Sequence, residues 1–258
     1  MNLLDLSDKL VLLTGGAGAI GRVVVKTLAE HGARVAVNDI VPDADAQALF
    51  ATNGIDTARV RYFCADTTDQ AAVHTLFDQV TAQMGLPNVV CCHAGMVEAY
   101  PVDQYPLTNF DQLLNINLRA AFIVAQTAAQ RWIAAATPGH LIFTASWVQD
   151  VPWPEITPYT ASKAGMKAMA RGFARELVNH HIRANVIAPG IVGVGLAKRQ
   201  WDTDPSYRAR AEKAIPLGYM QPPESVANAF LFLCSPLADY MTGSVLLVDG
   251  GCSLYPMD

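Results

Sequence analysis

Short apolar runs alternate along the chain with longer stretches in which apolar residues recur every three to four positions. The short runs are typical of buried parallel strands, and the periodic stretches indicate helices. The pattern predicts strands at 10–14, 34–39, 59–64, 88–92, 139–145, 182–188 and 244–248. It predicts helices at 19–31, 43–52, 69–84, 108–136, 157–179 and 223–234. This alternation favours a single-domain, doubly wound α/β fold with a seven-stranded parallel sheet and helices on both faces.

One segment, residues 190–222, departs from this alternation because it is irregular apart from a short helical pattern at 205–214. Long loops inside compact domains are often functional lids. Gly190, Gly193 and Gly195 would give it hinge freedom, so we interpret it as a loop that orders over bound cofactor or substrate. No repeat, low-complexity run or linker divides the chain, and residues 1–258 are therefore treated as one domain.

Composition narrows the class of protein. The chain has 258 residues, of which 52% are hydrophobic and 16% charged, enough for one well-buried core. Its net charge of −5 and its lack of a basic stripe argue against nucleic-acid binding. No run reaches the roughly 18 apolar residues that a membrane span needs. The five cysteines lack metal-ligand spacing and a disulfide framework, so we expect buried thiols, no metal and a cytoplasmic location.

A glycine-rich segment, Thr14 to Gly21, follows the first predicted strand and leads into the first predicted helix. Glycines let a backbone approach a ligand closely, and the N-terminus of a helix offers free N–H groups and a positive dipole end. Strand, glycine turn and helix in this order predict a site for a pyrophosphate.

An acidic residue, Asp39, ends the second predicted strand eighteen residues after Gly21. A carboxylate about 20 residues beyond such a glycine loop is the expected partner of the adenosine ribose hydroxyls in a dinucleotide site. A 2′-phosphate there would meet like charge, and no arginine or lysine directly follows Asp39. The sequence therefore favours NAD over NADP.

Tyr159 and Lys163 lie four residues apart on a predicted helix, and Ser146 follows the strand before it. Side chains at this spacing share a helix face about 5–6 Å apart. An ammonium near a phenol lowers the tyrosine pKa from about 10 towards neutrality. The serine hydroxyl would hold a substrate oxygen beside the phenol, which gives an acid/base site for an alcohol proton. Tyrosine and lysine at this spacing are common on solvated helix faces. The prediction of an acid/base site therefore depends on the glycine-rich segment and Asp39 earlier in the chain.

With these motifs in this order, the chain resembles the short-chain dehydrogenase/reductase family, whose fold is a Rossmann fold. The resemblance covers nearly all of the sequence and extends to the Asp249-Gly250-Gly251 segment. It implies a catalytic tetrad of Asn117, Ser146, Tyr159 and Lys163. It also implies a cofactor-binding set made of Gly15, Gly18, Ala19, Ile20, Gly21, Asp39, Asp66, Thr67, Ala94, Gly95, Tyr159, Lys163, Pro189, Gly190 and Val192.

Three positions depart from the family pattern. Ala19 stands where the middle glycine of the loop is expected, Cys92-His93 replaces a pair of asparagines, and Val194 replaces a threonine that contacts the carboxamide of the cofactor. These changes bear on cofactor affinity and loop order, whereas the tetrad is complete.

The substrate side has weaker signals. Aromatic rings beside polar groups suit a sugar or polyol, but they suit a core edge or a subunit contact equally. His93 is a candidate for the nicotinamide and equally for a structural role, and the charges of Lys198 and Arg199 suit an anionic group or plain solvation. The candidate substrate residues are His93, Glu98, Trp147, Trp153, Arg199 and Trp201.

Three functions remain open. The leading hypothesis is an NAD-dependent dehydrogenase of a sugar, polyol or other secondary alcohol. The second is a ketoreductase for acyl or cyclic ketones, and the third is a non-catalytic NAD-binding scaffold. The resemblance also implies a homo-oligomer, a dimer or tetramer that pairs helices 108–136 and 157–179.

Overall fold

The computed structural model describes residues 3–254 and contains one seven-stranded parallel sheet with strand order β3-β2-β1-β4-β5-β6-β7. This confirms the predicted fold class and strand number. The strands are β1 (Leu10–Thr14), β2 (Arg34–Asp39), β3 (Val60–Cys64), β4 (Val89–Cys92), β5 (Gly139–Thr144), β6 (Ile182–Pro189) and β7 (Val245–Val248).

Helices connect the strands on both sides of the sheet. They are α1 (Ala19–Glu30), α2 (Asp43–Thr52), α3 (Gln70–Met84), α4 (Leu107–Leu114), α5 (Ala120–Ala134), α6 (Thr157–Leu177), α7 (Gly195–Thr203), α8 (Pro205–Ala214) and α9 (Pro223–Cys234). Short 3₁₀ turns lie at Val102–Gln104, Trp147–Gln149, Val178–His180 and Pro236–Ala238.

Two apolar cores sandwich the sheet. One contains Val24, Phe50 and Phe230, from α1, α2 and α9. The other contains Phe77 and Trp132, from α3 and α5, together with residues of α6. Because both faces of the sheet are covered, every residue of β1 and β5 is buried, which explains why those strands read as continuous apolar or small-residue runs.

The predicted helix 108–136 is interrupted. A π-helical segment, Asn115–Arg119, separates α4 from α5. Such segments lodge an extra residue in the helix and commonly mark functional sites. Here the segment contains Asn117, which is fully buried. The interruption agrees with the role that the family resemblance implies for this asparagine.

The segment 190–222 is far more helical than the sequence pattern indicated. It contains α7, which was missed, as well as α8 at the expected residues 205–214. The Asp204 carboxylate accepts hydrogen bonds from the N–H groups of Ser206 and Tyr207, and Pro205 occupies the first turn of α8. This N-cap was readable in the sequence. α7 was not, because it is only nine residues long, its residues are mostly polar and none of them is buried.

All five cysteines are free thiols. Four are buried as expected, but Cys64 is exposed at the end of β3, an edge strand on which Arg61 also faces solvent. Within residues 3–254, no helix combines the length and apolarity that crossing a bilayer requires.

Candidate active site

The carboxyl ends of the parallel strands meet at one edge of the sheet, and a cavity of about 360 Å³ opens there. Ligands of doubly wound sheets bind beyond this edge. Most of the predicted site residues line the cavity: Gly18, Ala19, Ile20, His93, Gly95, Ser146, Trp147, Trp153, Tyr159, Lys163, Pro189, Gly190 and Val192.

The glycine loop fits a phosphate-bearing ligand. Gly15 has a φ of +72°, and a Cβ built on it would lie 2.7 Å from the Ala94 Cα, so the loop packs directly on the backbone after β4. Gly18 precedes α1 and supplies no side-chain cap. The first N–H groups of α1 are therefore left for a ligand at the wall of the cavity, which Ala19 and Ile20 also form.

Thr14 joins the glycine loop to the Cys92-His93 segment. Its Oγ1 accepts hydrogen bonds from the backbone N–H groups of His93 and Ala94, both at 3.1 Å, and donates to the Cys91 carbonyl. These backbone groups are thus held without the two asparagines of the family pattern.

The surroundings of the His93 imidazole fit both a structural role and a role beside the nicotinamide. Its Nδ1 lies 3.1 Å from the Thr144 Oγ1 and its ring meets Phe230 edge-on, which is a structural environment. The same side chain lines the cavity. Burial and the nearby positive charge of Lys163 lower the pKa of His93 to about 4, so the ring is neutral at pH 7.

Asp39 lies where a ribose would be recognised, at the end of β2. Its Oδ2 accepts from the Ala17 N–H at 3.0 Å and its Oδ1 accepts from the Ile40 N–H, which fixes the carboxylate beside the glycine loop. Arg22 donates to the Ala17 carbonyl, a nearby positive charge that the spacing argument overlooked.

The loop after β3 contains the two residues implied for the adenine end. The Asp66 Oδ1 accepts from both the N–H and the hydroxyl of Thr68, and Thr67 is buried. Arg119 donates to the Thr68 carbonyl and so ties this loop to the π-helical segment. Asp66 and Thr67 lie outside the cavity wall, as do Gly15, Gly21, Asp39 and Ala94.

Ser146, Tyr159 and Lys163 converge in the cavity. Ser146 follows β5 and its hydroxyl forms a hydrogen bond with Tyr159. The Lys163 Nζ donates to the Thr144 carbonyl at 2.8 Å and lies 5.4 Å from the centroid of the Tyr159 ring. A hydroxyl donor, a phenol and an ammonium at one point form an acid/base site.

The expected lowering of the Tyr159 pKa is corrected by the structure. Burial raises the pKa of Tyr159 to about 12, although its hydrogen bond with Ser146 acts in the opposite direction. Lys163 lies 5.4 Å from the centroid of the ring, and burial outweighs its positive charge. Burial also lowers the pKa of Lys163 to about 8. In the protein alone, therefore, the phenol is protonated at neutral pH.

Asn117 anchors the backbone beside Lys163. Its Nδ2 donates to the Met96 carbonyl and its Oδ1 accepts from the Met96 N–H, both at 2.8 Å. Its Nδ2 also lies 3.3 Å from the Ser162 hydroxyl on α6. A Cβ on Gly95 would lie 3.5 Å from the Lys163 Nζ, so this anchored segment passes directly by the ammonium.

Beyond Gly190, the chain forms the far wall of the cavity. The Gly190 N–H donates to the Gln221 Oε1 at 2.7 Å, and Val192 forms a bridge with the Gln221 backbone. Val194, the third departure from the family pattern, also lines the cavity and directly precedes α7.

The candidate substrate residues divide into two groups. Trp147 and Trp153 line the cavity and pack edge-to-face, with ring centroids 5.5 Å apart. Glu98, Arg199 and Trp201 lie outside the cavity wall. Glu98 accepts from the Asn109 amide, Arg199 is exposed on α7, and Trp201 packs beneath the guanidinium of Arg208.

The cavity residues that were not predicted include Thr144, Glu155, Tyr207 and Arg210. Thr144 connects His93 with Lys163, and Tyr207 packs against Trp153. Tyr207 and Arg210 are three residues apart within the helical pattern at 205–214. Residues at this spacing share a helix face, so the sequence could have shown that Tyr207 and Arg210 point to the same side of α8.

The fold and the site together define a dinucleotide-dependent oxidoreductase, and comparison with known proteins identifies its family. A family model described as Enoyl-(Acyl carrier protein) reductase matches residues 15–253. The 3beta-hydroxysteroid dehydrogenase 1 of Eggerthella lenta is 31% identical over 98% of this chain and 96% of that protein. The D-threitol dehydrogenase of Mycolicibacterium smegmatis is 32% identical over 96% and 94%.

Solved structures agree. A short-chain type dehydrogenase/reductase from Mycobacterium marinum matches with a TM-score of 0.87 and 31% identity, covering 98% of both chains. A gluconate 5-dehydrogenase from Burkholderia cenocepacia in complex with NADP and tartrate matches with a TM-score of 0.90 and 27% identity, also covering 98% of both. The chain belongs to the short-chain dehydrogenase/reductase family. Its members use nicotinamide cofactors and act on CH–OH groups.

Proposed function

We propose that this protein is an NAD-dependent dehydrogenase that oxidises a secondary alcohol of a sugar or polyol and catalyses the reverse reduction. The observation that carries the proposal is the convergence of Ser146, Tyr159 and Lys163 in a cavity that the glycine loop also lines. The names of two relatives, a D-threitol dehydrogenase and a gluconate 5-dehydrogenase, support a polyhydroxylated substrate.

The proton steps follow from the site. Ser146 donates a hydrogen bond to the substrate oxygen, and Tyr159 exchanges the proton with it. Since the Tyr159 phenol is protonated in the protein alone, it is ready to donate to a carbonyl. A bound NAD supplies the hydride acceptor and a positive charge that favours the phenolate needed for oxidation. Lys163 adds a second positive charge near the ring, and Asn117 holds the adjacent backbone.

The choice of NAD over NADP rests on Asp39. Its carboxylate lies beside the glycine loop, where it accepts from Ala17. Ribose hydroxyls donate well to such a carboxylate, whereas a 2′-phosphate would be repelled by it. Asp66 and Thr67 would contact the adenine, and Pro189, Gly190 and Val192 would flank the nicotinamide.

We also propose that residues 190–222 form a lid over the bound cofactor and substrate. The support is that Gly195 and Tyr207 belong to the cavity wall while α7 has no buried residue. Few buried contacts are typical of segments that open locally.

A ketoreductase acting on acyl or cyclic ketones is the second candidate. The apolar side chains of Met96, Trp153 and Ile156 in the cavity favour it, as does the steroid named for one relative. The third candidate, a scaffold that binds NAD without turnover, requires the tetrad to be inactive.

A homo-oligomer, either a dimer or a tetramer, is proposed through the outer faces of α5 and α6. Phe122 on α5 is 41% exposed and stacks near Phe173 of α6, and Ile133 is 40% exposed. Exposed apolar patches of this kind mark contact surfaces. The five free thiols support a reducing, cytoplasmic location.

The proposed function is tested by a screen that follows NADH formation over sugars, polyols, hydroxy acids and steroids, with reduction of the matching ketones in parallel. We expect the highest kcat/KM with a polyhydroxylated alcohol and NAD. Faster reduction of acyl or cyclic ketones would favour the second candidate. Stoichiometric NAD binding without turnover of any compound would favour the scaffold.

A further inference from the structure

Arg210 introduces a positive charge into the cavity from the side opposite the sheet. It lies on α8, and its guanidinium is 5.0 Å from the centroid of the Trp153 ring and 5.9 Å from that of Tyr207. All three side chains line the cavity that contains Ser146 and Tyr159. Two aromatic rings therefore hold the guanidinium in a defined place, as cation–π contacts do.

No acidic side chain forms an ion pair with this guanidinium in the described part of the chain. Within residues 3–254, Arg210 forms no ion pair, and its buried Nε has no hydrogen-bond acceptor. Asp204 is near enough for Arg210 to contribute to its lowered pKa, but the Asp204 Oδ1 already accepts from Ser206 and Tyr207 at the start of α8. A buried donor without an acceptor is costly unless a ligand completes it.

The neighbouring cations are arranged differently. Lys198 binds Asp202, and Arg208, two residues from Arg210 on the same helix, binds Glu212 at 2.9 Å. Neither of these cations lines the cavity. Within the described residues, Arg199 on α7 and Lys213 on α8 form no ion pair either, but both are exposed. Arg210 differs from them because its Nε is buried and its side chain lines the cavity.

The other titratable groups of the cavity wall are less suited than Arg210 to binding an anion. Lys163 is engaged with the Thr144 carbonyl. Glu155 is the acidic residue of the wall; its side chain is exposed and its backbone has a φ of +68°. His93 is neutral at pH 7, since burial lowers its pKa.

We propose that Arg210 binds a carboxylate of the substrate, so that the preferred substrate is a hydroxy carboxylic acid of the sugar-acid type. The guanidinium forms paired hydrogen bonds with a carboxylate, while Ser146 and Tyr159 engage the reacting hydroxyl elsewhere in the same molecule. The walls formed by Trp147 and Trp153 contact the carbon chain between these two points. This inference rests on the proposed function and narrows its substrate class.

The test compares alcohols that differ only in a terminal carboxylate, D-threitol with D-threonate and D-glucitol with D-gluconate. It uses the full-length protein, Arg210→Gln, Arg210→Lys and the matched control Arg208→Gln. Binding of each compound in the presence of NAD is measured by calorimetry and by tryptophan fluorescence, since Trp153 lies against Arg210. Steady-state kcat and KM are measured on the same samples.

We expect the wild-type protein to bind the acid of each pair more tightly. Arg210→Gln should weaken binding of the acids about ten- to hundredfold and leave the polyols unchanged, because one charge-assisted pair is lost. Arg210→Lys should restore part of this loss, and Arg208→Gln should bind both compounds as the wild type does. Unfolding midpoints identify any variant that loses acid binding because its structure is damaged. If Arg210→Gln is such a variant, the acid binding of Arg210→Lys provides the test.

Equal weakening of acids and polyols by Arg210→Gln, or no preference of the wild type for the acid, would overturn the carboxylate subsite. Oxidation of the acids by NAD that does not depend on Arg210 would overturn it too, while leaving the proposed function intact. Acid binding that depends on Arg210 without oxidation of any alcohol would support the subsite and contradict the proposed function.

Discussion

Two regions face each other across the cavity, and they are built differently. On the sheet side, Gly15 packs on the Ala94 backbone and Thr14 holds two N–H groups of the next strand end. On the lid side, α7 has no buried residue and carries an i,i+4 ion pair at the surface. In contrast, α8 is held by an N-cap, by cation–π contacts and by the burial of Tyr207 and Ala211 in a small apolar cluster.

The difference in packing indicates that the two regions have different functions. Backbone packing without spare room fixes the positions of the cofactor and catalytic groups to a fraction of an ångström. Surface pairs contribute little stability, about 0.2–1 kcal/mol each, so α7 can move and can change its side chains at low cost. We therefore expect the chemistry to depend on the sheet edge and substrate choice to depend on the lid.

The same difference explains what the sequence could predict. Residues at the sheet edge occur in motifs with fixed spacing, so Asp39, Ser146, Tyr159 and Lys163 were identified from the chain alone. Arg210 was not, because its role depends on Trp153, a residue fifty-seven positions away, and contacts at that distance leave no local pattern. The raised pKa of Tyr159 also depends on burial, which motif spacing does not reveal.

Two glycines with positive φ provide the sharpest contrast in stability. In Gly15→Ala, the new Cβ would lie 2.7 Å from the Ala94 backbone, and we expect a loss of about 2–4 kcal/mol in the free energy of unfolding, together with weaker NAD binding. Gly218→Ala is the matched control, since the φ of Gly218 is +80°, nothing lies within 4 Å of the added Cβ, and Gly218 does not line the cavity. It should lose about 1–2 kcal/mol and retain NAD affinity.

Urea unfolding and NAD titration of both variants measure these effects. Equal losses of stability and of NAD affinity in the two variants would remove the distinction between a closely packed edge and an open lid.

The second contrast concerns cofactor choice at the sheet edge. Asp39→Ala removes the acceptor of the ribose hydroxyls and the charge that repels a 2′-phosphate. We expect the ratio of kcat/KM for NAD to that for NADP to fall about ten- to hundredfold, in line with hydrogen bonds to a charged group. Steady-state kinetics with both cofactors provide the measurement. A wild type that prefers NADP, or a ratio that the substitution leaves unchanged, would contradict the role of Asp39.

The smallest expected effect concerns His93. Its pKa in the folded protein, about 4, lies below the ordinary value of 6.5, so the unfolded chain binds more protons between these values. Stability should therefore fall as the pH drops from 6.5 towards 4. Between pH 7 and pH 5.5, the free energy of unfolding of His93→Asn should fall by about 1 kcal/mol less than that of the wild type. Thermal unfolding at both pH values gives the comparison, and parallel losses would show that His93 is not the group responsible.

The central claim is that the Tyr159 hydroxyl exchanges the proton of the substrate. Tyr159→Phe tests it directly, and Tyr207→Phe, which removes a hydroxyl from the lid side of the same cavity, is the matched control. With NAD affinity measured separately, kcat of Tyr159→Phe should fall by at least about 10²–10⁴-fold, while Tyr207→Phe stays within about tenfold of the wild type. Near-normal turnover by Tyr159→Phe, with NAD binding intact, would contradict the mechanism.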